Sequence, residues 1–459
     1  MPKKPKPQEM ARAFLGSSIM YRGEILDVQS DLMFHADEQV FYYYDQQSGA
    51  WRLIPIGDKD TGTQAKLFSK FLDANFPDVD ANSNAIKELR SGVVRFIDNV
   101  FTDDKFDDHP YTAFRDGIFD WSTFKLLPHD RHKVAFHSFD FDCPHNAQVI
   151  HTPVFDAYLA RVFKGDPDMQ KFIPEMFGYY LLPKTREPAA FYLYGQARTG
   201  KSVMLDLVRH LIGDQFSCSF SLQSLTSDKY TVAELAGKRI NIQDEDESEF
   251  ILSDKFKALI SQNKMQAERK YASPFTFRPR CKLLFGSNQL PNFKSVDDGL
   301  LRRLRFVEFK HPLDPSEQDK NILSKLQQEL PGIVQKAMIA AERFVKNKEE
   351  FNFPQSALNT AEQFAIESEP AITFFYETYQ VRRDAKRDEV PSDGWCLFKD
   401  MYKVYREWCK ENGKFPKSSI KFAKILDRIP GLDPEHTKVG NWRPCSLLTS
   451  TPTNQPSIF

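Results

Sequence analysis

Apolar residues recur along this chain with changing period, and the changes mark its parts. Phe41-Tyr-Tyr-Tyr44 and Ala50-Trp-Arg-Leu-Ile54 flank the polar run Asp45-Gln-Gln-Ser-Gly49. Two β-rich runs around a short turn-forming segment predict a hairpin. Between 62 and 105, Leu67, Phe71, Leu72, Ile86, Leu89, Val93 and Ile97 predict a helical stretch. Gly117-Ile-Phe-Asp-Trp121 returns to short strands. Residues 153–182 read as helix interrupted by breakers and end in the apolar run Ile173 to Leu182.

After the polar connector Pro183 to Pro188 the pattern alternates between strand and helix. Phe191-Tyr-Leu-Tyr194, Arg239-Ile-Asn-Ile-Gln243, Cys281-Lys-Leu-Leu-Phe285 and Leu304-Arg-Phe-Val-Glu-Phe309 are predicted strands. Ser202 to Ile212, closed by Gly213, and Ser253 to Ile260 are predicted helices. Such alternation favours a parallel sheet covered on both faces. From about 315 the chain reads as helical. Pro354 and the charged run 382–389 mark a linker before a small C-terminal domain. The basic, proline-rich start Met1-Pro-Lys-Lys-Pro-Lys-Pro7 and the Ser/Thr/Pro-rich end from Thr449 are expected to be disordered.

Composition narrows the class. The chain has 459 residues, 41% hydrophobic and 27% charged, as in a soluble protein of two to four domains. No apolar run approaches the roughly 20 residues of a bilayer span, and no apolar core follows the basic start. No membrane association is expected. The 6 cysteines contain no Cys-x-x-Cys pair, which predicts reduced thiols in an intracellular compartment. A prokaryotic host's cytoplasm is the expected place, with the nucleus as the alternative. Cys143, His145 and His151 match no zinc spacing. Net charge is −1, so any nucleic-acid contact must use local positive charge.

The chemistry-bearing pattern lies in the α/β part. Gly195-Gln196-Ala197-Arg198-Thr199-Gly200-Lys201-Ser202 has every fixed position of a phosphate-binding loop, between a predicted strand and a predicted helix. The glycines let backbone N–H groups face phosphates, and the helix start adds positive potential. Lys201 is expected to reach the β- and γ-phosphates of ATP, and Ser202 to ligate Mg²⁺. Downstream, Ile240-Asn-Ile-Gln-Asp244-Glu245 is a strand ending in carboxylates. Asp244 would hold Mg²⁺ and Glu245 would polarise the attacking water. The acidic run continues through Glu249, so these roles can shift by one or two residues. A solvated acidic loop is the plainer reading of this run taken alone.

Lys282-Leu-Leu-Phe-Gly-Ser-Asn288 ends a strand in an amide that can hold water or sense a γ-phosphate. Arg302 and Arg303 precede the last strand, and either suits transition-state phosphate charge supplied by a neighbouring subunit. Lys264, Arg269, Lys270, Arg278, Arg280 and Lys282 face only Glu268 in their stretch, a local +5. Tyr271, Phe275 and Phe277 are interleaved among them. Cations and rings together suit single-stranded nucleic acid, with Phe275 and Phe277 expected to pack inward and the cations near the turn left free.

The order of these parts resembles the superfamily 3 helicases, above all the helicase halves of phage, plasmid and large-DNA-virus primase-helicases. Lys255-Phe-Lys-Ala-Leu-Ile260, Ala267-Glu-Arg-Lys-Tyr271, Leu284 to Pro291 and Gly299-Leu-Leu-Arg-Arg-Leu304 are similar to that family's runs. The likeness is strong over about 185–312. It extends to Ala113 to Asp120 and Phe177 to Leu182 upstream, and to Trp395 to Leu448 downstream. Thr199 departs from the Asn common in close relatives.

The resemblance implies an α/β, AAA+-like P-loop core, an α+β/helical N-terminal region and a winged-helix-like C-terminal domain. It implies a homo-hexameric ring with shared ATP sites, moving 3′–5′ on single-stranded and forked DNA. Arg303 is then the better candidate for the trans-acting finger and Lys270 for the DNA-contacting lysine. A separate primase or polymerase is a candidate partner. The only Asp-x-Asp pair weighed for a primase centre, Asp140-Phe-Asp142, is too short a pattern to assign one. The expected divisions are an arm at 1–19, an N-terminal region at 20–182, the ATPase core at 183–312, a helical region and linker at 313–390, a winged-helix-like domain at 391–447 and a tail at 448–459. Ser418 to Leu426 is a candidate recognition helix. The rival reading is an origin-binding initiator that uses ATP as an assembly switch.

Overall fold

The computed structural model describes residues 5–56, 63–106, 109–244, 253–269, 274–291, 293, 296–314, 318–367, 369–382, 394–427, 429, 431–437 and 440–448. The chain divides into two compact units. One is Met1–Pro291 with Arg302–Leu358, and the other is Asn292–Leu301 with Asn359–Phe459.

The first unit is built on a five-stranded sheet. Its strands are β1 (Ala190–Gly195), β2 (Ser217–Cys218), β3 (Ile240–Gln243), β4 (Lys282–Ser287) and β5 (Leu304–Phe309). They lie in the order β2-β3-β4-β1-β5, and every pairing is parallel. The helices used below are α1 (Pro153–Val162), α2 (Pro167–Leu181), α3 (Lys201–Ile212), α4 (Ser253–Ile260), α5 (Ile322–Gln328) and α6 (Leu330–Lys346). The strands are apolar almost throughout, as a sheet buried on both faces requires. Phe191, Leu193, Ile242, Leu284 and Val307 pack with Leu205, Val208 and Leu211 of α3, Ile173 and Met176 of α2, and Ile333 and Ala337 of α6. The expected α/β class with a parallel sheet is found.

Besides the antiparallel pair Ser18–Tyr21 with Glu24–Asp27, two four-stranded sheets precede this core. The predicted hairpin forms, with Phe41 opposite Ile54 and Asp45 opposite Ala50. Leu32–His35 and then Val100–Phe101 extend it on the Val40–Asp45 side. The second sheet orders Ala135–Ser138, Tyr111–Phe114, Gly117–Asp120 and Lys125–Leu127.

Here the structure corrects two expectations. The stretch 62–105 is not helical throughout. A helix at Gln64–Asn75 stops before Pro77, and a second at Ser83–Phe96 starts where the Asn82 side chain accepts from the N–H groups of Asn84 and Ala85. The strand Val100–Phe101 follows. Nor is 1–19 a disordered arm, because Pro7–Leu15 is a helix. Pro7 fits its first turn and the Glu9 carboxylate accepts from the Lys6 N–H. Met10, Ala11 and Phe14 are buried, with the Phe14 ring 5.1 Å from Phe68 and 4.9 Å from Phe71. Burying Phe14 alone contributes roughly 2–3 kcal/mol.

His137 gives this unit a pH dependence. It is 1% exposed, and burial, with repulsion from Arg239 and Arg52, holds its pKa well below the ordinary value. The folded protein therefore keeps it neutral, whereas the unfolded chain takes up a proton below about pH 6.5. Its contribution to stability is complete above that pH and falls by about 1.4 kcal/mol per pH unit below it. Urea unfolding at pH 7 and pH 5 is expected to show this loss, and His137→Phe is expected to reduce the slope. An unchanged slope in the variant would assign the acid sensitivity elsewhere.

In the second unit, helices Pro370–Thr378, Phe398–Glu411 and Ser419–Leu426 enclose a core in which Phe374, Tyr405 and Phe422 meet. The Tyr405 and Phe422 rings stack with centroids 4.3 Å apart. Tyr379–Val381 pairs with Cys445–Leu447, and Asn441–Arg443 lies between Cys396–Leu397 and Glu435–His436. Pro370–Thr378, placed by its sequence in the 313–390 linker region, is thus part of the C-terminal core. Most of the charged run 382–389 and the tail from Thr449 lie outside the described residues. Among the described residues no helix is long and apolar enough to cross a membrane.

Candidate functional site

The carboxyl ends of adjacent parallel strands are where open α/β sheets bind ligands. Here β1, β4 and β3 are neighbours, and the chain leaves them at Gly195, Asn288 and Asp244. The Gly195 to Ser202 loop joins β1 to α3. Gly195 has φ +143°, and a Cβ there would lie 2.2 Å from the Phe309 carbonyl oxygen. Gly200 has φ +95° and caps α3, with Val162 Cγ2 3.0 Å from where its Cβ would be. Only glycine fits both places. The Thr199 hydroxyl donates to the Gln196 carbonyl at 2.9 Å and closes the loop on itself.

Lys201 opens α3 and is 6% exposed. Its Nζ donates to the carbonyls of Gly195 and Gln196 and, at 3.1 Å, to Asn288 Oδ1. Asp244 reaches across β4, with Oδ1 2.9 Å from where a Cβ on Gly286 would lie. A larger residue at 286 would displace this carboxylate. A cavity of about 670 Å³ is lined by Ala197 to Ser202, Asp244 and Asn288. Its remaining walls come from Val154, Ala157, Tyr158 and Arg161 of α1 and from Leu313, Asp319 and Ile322. The Tyr158 hydroxyl donates to the Gly200 carbonyl at 2.8 Å, and burial pushes its pKa up, so it remains a neutral donor.

The residues singled out in the sequence divide accordingly. Ala197, Arg198, Thr199, Gly200, Lys201, Ser202, Asp244 and Asn288 share this cavity. Gly195 and Gln196 form the loop behind Lys201 without lining it. Arg302 is exposed, and Arg303 donates from Nε to Ser261 Oγ at 2.9 Å; neither lines the cavity. Glu245, Lys270 and Tyr271 lie outside the described residues. The walls from α1, Leu313 and the described residues 318–322 carry no motif and were missed. The apolar face Val154, Ala157, Tyr158 was the one available signal, and it reads equally as core.

The basic stretch 264–282 is an antiparallel strand pair, Met265–Ala267 with Phe275–Phe277. Lys264 is exposed at its start. Phe277 is fully buried as expected, but Phe275 is only half-buried, with the Arg269 guanidinium 4.3 Å from its ring centroid. Arg269 also donates to the Glu38 carbonyl, so this cation is not left free. Lys282 does not belong to a basic surface. It is 4% exposed and donates to the carbonyls of Tyr179 and Leu182 at the end of α2. The exposed positive charge of the stretch is correspondingly smaller than the sequence suggests.

Comparison with known proteins places these features. Residues 59–177 match a family described as D5 N terminal like. Residues 193–303, which hold the whole Gly195 to Ser202 loop and both following strand ends, match a family of unknown function, DUF5906. A protein of Acanthamoeba polyphaga mimivirus, named provisionally as helicase L207/L206, is 25% identical over 301 residues. That match covers 60% of this chain and 30% of the relative, so the chain spans under a third of that protein. Among solved structures, two apo structures of the NrS-1 C-terminal region superpose at TM-score 0.47. They have 12% and 11% identity, and each comparison covers 96% of this chain and 99% of the other. The chain is thus similar in sequence to the D5 N terminal like family over residues 59–177 and, over part of its length, to a giant-virus helicase relative.

Proposed function

We propose that the chain is an ATP- and Mg²⁺-dependent DNA helicase of viral or mobile-element replication. One observation carries the reading: Lys201, Ser202, Asp244 and Asn288 converge on one cavity from the carboxyl ends of three neighbouring strands. Loop N–H groups and Lys201 would hold the phosphates, while Ser202 and Asp244 would hold Mg²⁺. Asn288, already within hydrogen-bond reach of Lys201, would orient water or sense the γ-phosphate. Glu245 would be the general base. The base and ribose would lie against the α1 wall. Arg303, or Arg302, lies away from its own chain's cavity, which supports a role on a neighbour in a hexameric ring. The 264–277 strand pair, with Lys264, Arg269, Lys270 and Tyr271, would contact single-stranded DNA during 3′–5′ movement.

The test combines ATP hydrolysis with displacement of a strand from forked DNA. Asp244→Asn is expected to keep nucleotide binding and lose Mg²⁺-dependent hydrolysis by about 100-fold or more. Wild-type protein that binds no ATP would overturn the reading.

The second reading, an origin-binding initiator, rests on the Ser419–Leu426 helix, a candidate part of a winged-helix-like domain. Around it Lys414, Lys421 and Lys424 are exposed, with Phe415 92% and Ile420 71% exposed. Tight sequence-dependent duplex binding without strand displacement would favour it.

A further inference from the structure

The 265–277 strand pair does not stand alone on the core. Both of its arms are tied to the N-terminal sheet. Beyond the second arm, the Arg278 N–H donates to Asp103 Oδ2 at 2.8 Å, and Arg280 Nη2 donates to the Asp103 carbonyl at 2.7 Å. Beyond the first arm, Arg269 Nη1 donates to the Glu38 carbonyl at 3.0 Å. Asp103 and Glu38 are themselves fixed. Asp103 follows the strand Val100–Phe101, is 2% exposed, and its N–H donates to Asp37 Oδ2 at 2.8 Å. Glu38 accepts from the Tyr42 hydroxyl at 2.8 Å. A buried carboxylate that accepts a backbone N–H holds that strand end in one place, because moving it strands both partners without water.

His35, Asp37 and Asp103 bring ligand-type atoms within 4.8 Å of one another, a grouping that could suggest a metal. Two features point elsewhere. His35 Nδ1 accepts from the Glu38 N–H at 3.3 Å, which assigns the proton to Nε2, the nitrogen facing Asp103. Asp103 Oδ1 lies 3.9 Å from that Nε2 and 3.9 Å from Arg280 Nε, so a guanidinium already supplies the nearby positive charge.

We propose that Asp103 is a positioning residue for nucleic-acid contact by this strand pair. The N-terminal sheet holds the arms, through the Asp103 carboxylate and backbone and the Glu38 carbonyl, in the orientation from which they meet DNA. The assignment rests on the proposed helicase function. Asp103 lines no part of the nucleotide cavity, so its loss should leave DNA-free chemistry unchanged.

The experiment uses the full chain. Asp103→Ala is expected to raise the DNA concentration for half-maximal ATPase stimulation by about tenfold, the value of a lost charge-assisted hydrogen bond. DNA-free hydrolysis and ATP affinity should stay at wild-type level. Asp103→Asn, which keeps an oxygen for the Arg278 N–H, should restore most of the DNA response. Hydrogen exchange at the 265–277 amides should accelerate in Asp103→Ala. Arg280→Met cuts a tie from the other side and serves where Asp103→Ala does not fold. If wild-type protein shows no DNA-stimulated ATPase, the helicase reading fails, and exchange alone still tests the seat. Wild-type exchange together with a wild-type DNA response in Asp103→Ala, or in Arg280→Met where the first does not fold, would overturn the proposal. So would parallel loss of DNA-free hydrolysis.

Discussion

Lys201→Ala is expected to lower ATP hydrolysis by about 100- to 1,000-fold while leaving the protein folded. The size follows from the group that is lost. A preorganised donor aimed at developing charge in a water-poor site is worth about 3–4 kcal/mol to the transition state. Lys201 is such a donor. It is nearly buried, and its Nζ donates to the Gly195 and Gln196 carbonyls and to Asn288 Oδ1. A polyphosphate offers this ammonium charged oxygens where the loop offers neutral carbonyls, so the lysine should exchange the loop carbonyls for the ligand. The fold should survive because Lys201 itself lines the open cavity, so water can take the place that the lysine leaves. Phosphate release at saturating ATP checks the first claim, and the far-ultraviolet melting curve checks the second. Hydrolysis at wild-type rate would remove Lys201 from the mechanism. Loss of the folded signal would make it a structural residue instead.

The same residue shows what was legible beforehand. The loop, the Asp244 strand and the Asn288 strand each announce themselves locally, because a strand followed by a polar chemistry-bearing residue is a short pattern. Their meeting was inferable from the α/β alternation, which the parallel order of β3, β4 and β1 realises. The wall opposite was not legible. Tyr158 lies more than 40 positions before Lys201 and Leu313 more than 100 after it, and no periodicity encodes that they face the same cavity. Helix Pro7–Leu15 was hidden for another reason. The lysines and prolines beside it carry a disorder signal, while the buried face is only Met10, Ala11 and Phe14. Charge was read least well. A sum over 264–282 counts cations without asking which carbonyls they cap, and Arg269, Arg280 and Lys282 all cap carbonyls.

Lys282 therefore carries the largest expected effect on stability. Helices end with carbonyls that lack partners, and the last turn carries partial negative charge. In α2 these groups point into the interior. Lys282 Nζ takes the Tyr179 and Leu182 carbonyls, Arg239 Nη2 takes that of Leu181 at 3.1 Å, and the ammonium lies 4.5 Å from the Tyr179 ring centroid. Burial, with repulsion from Arg239, holds the pKa of Lys282 well below its ordinary value, so the charged form is costly here, while the amine can donate to these carbonyls in either protonation state. Lys282→Ala leaves buried carbonyls without donors and opens a cavity between α2 and β4. The expected loss is about 3–5 kcal/mol from the unit that contains the central sheet. Lys282→Met fills the space but caps nothing, and should recover only the packing part. Urea unfolding followed by tryptophan fluorescence separates the two, with the Ala variant's midpoint lowest. Equal midpoints for wild type and Lys282→Ala would show that the α2 end needs no cap.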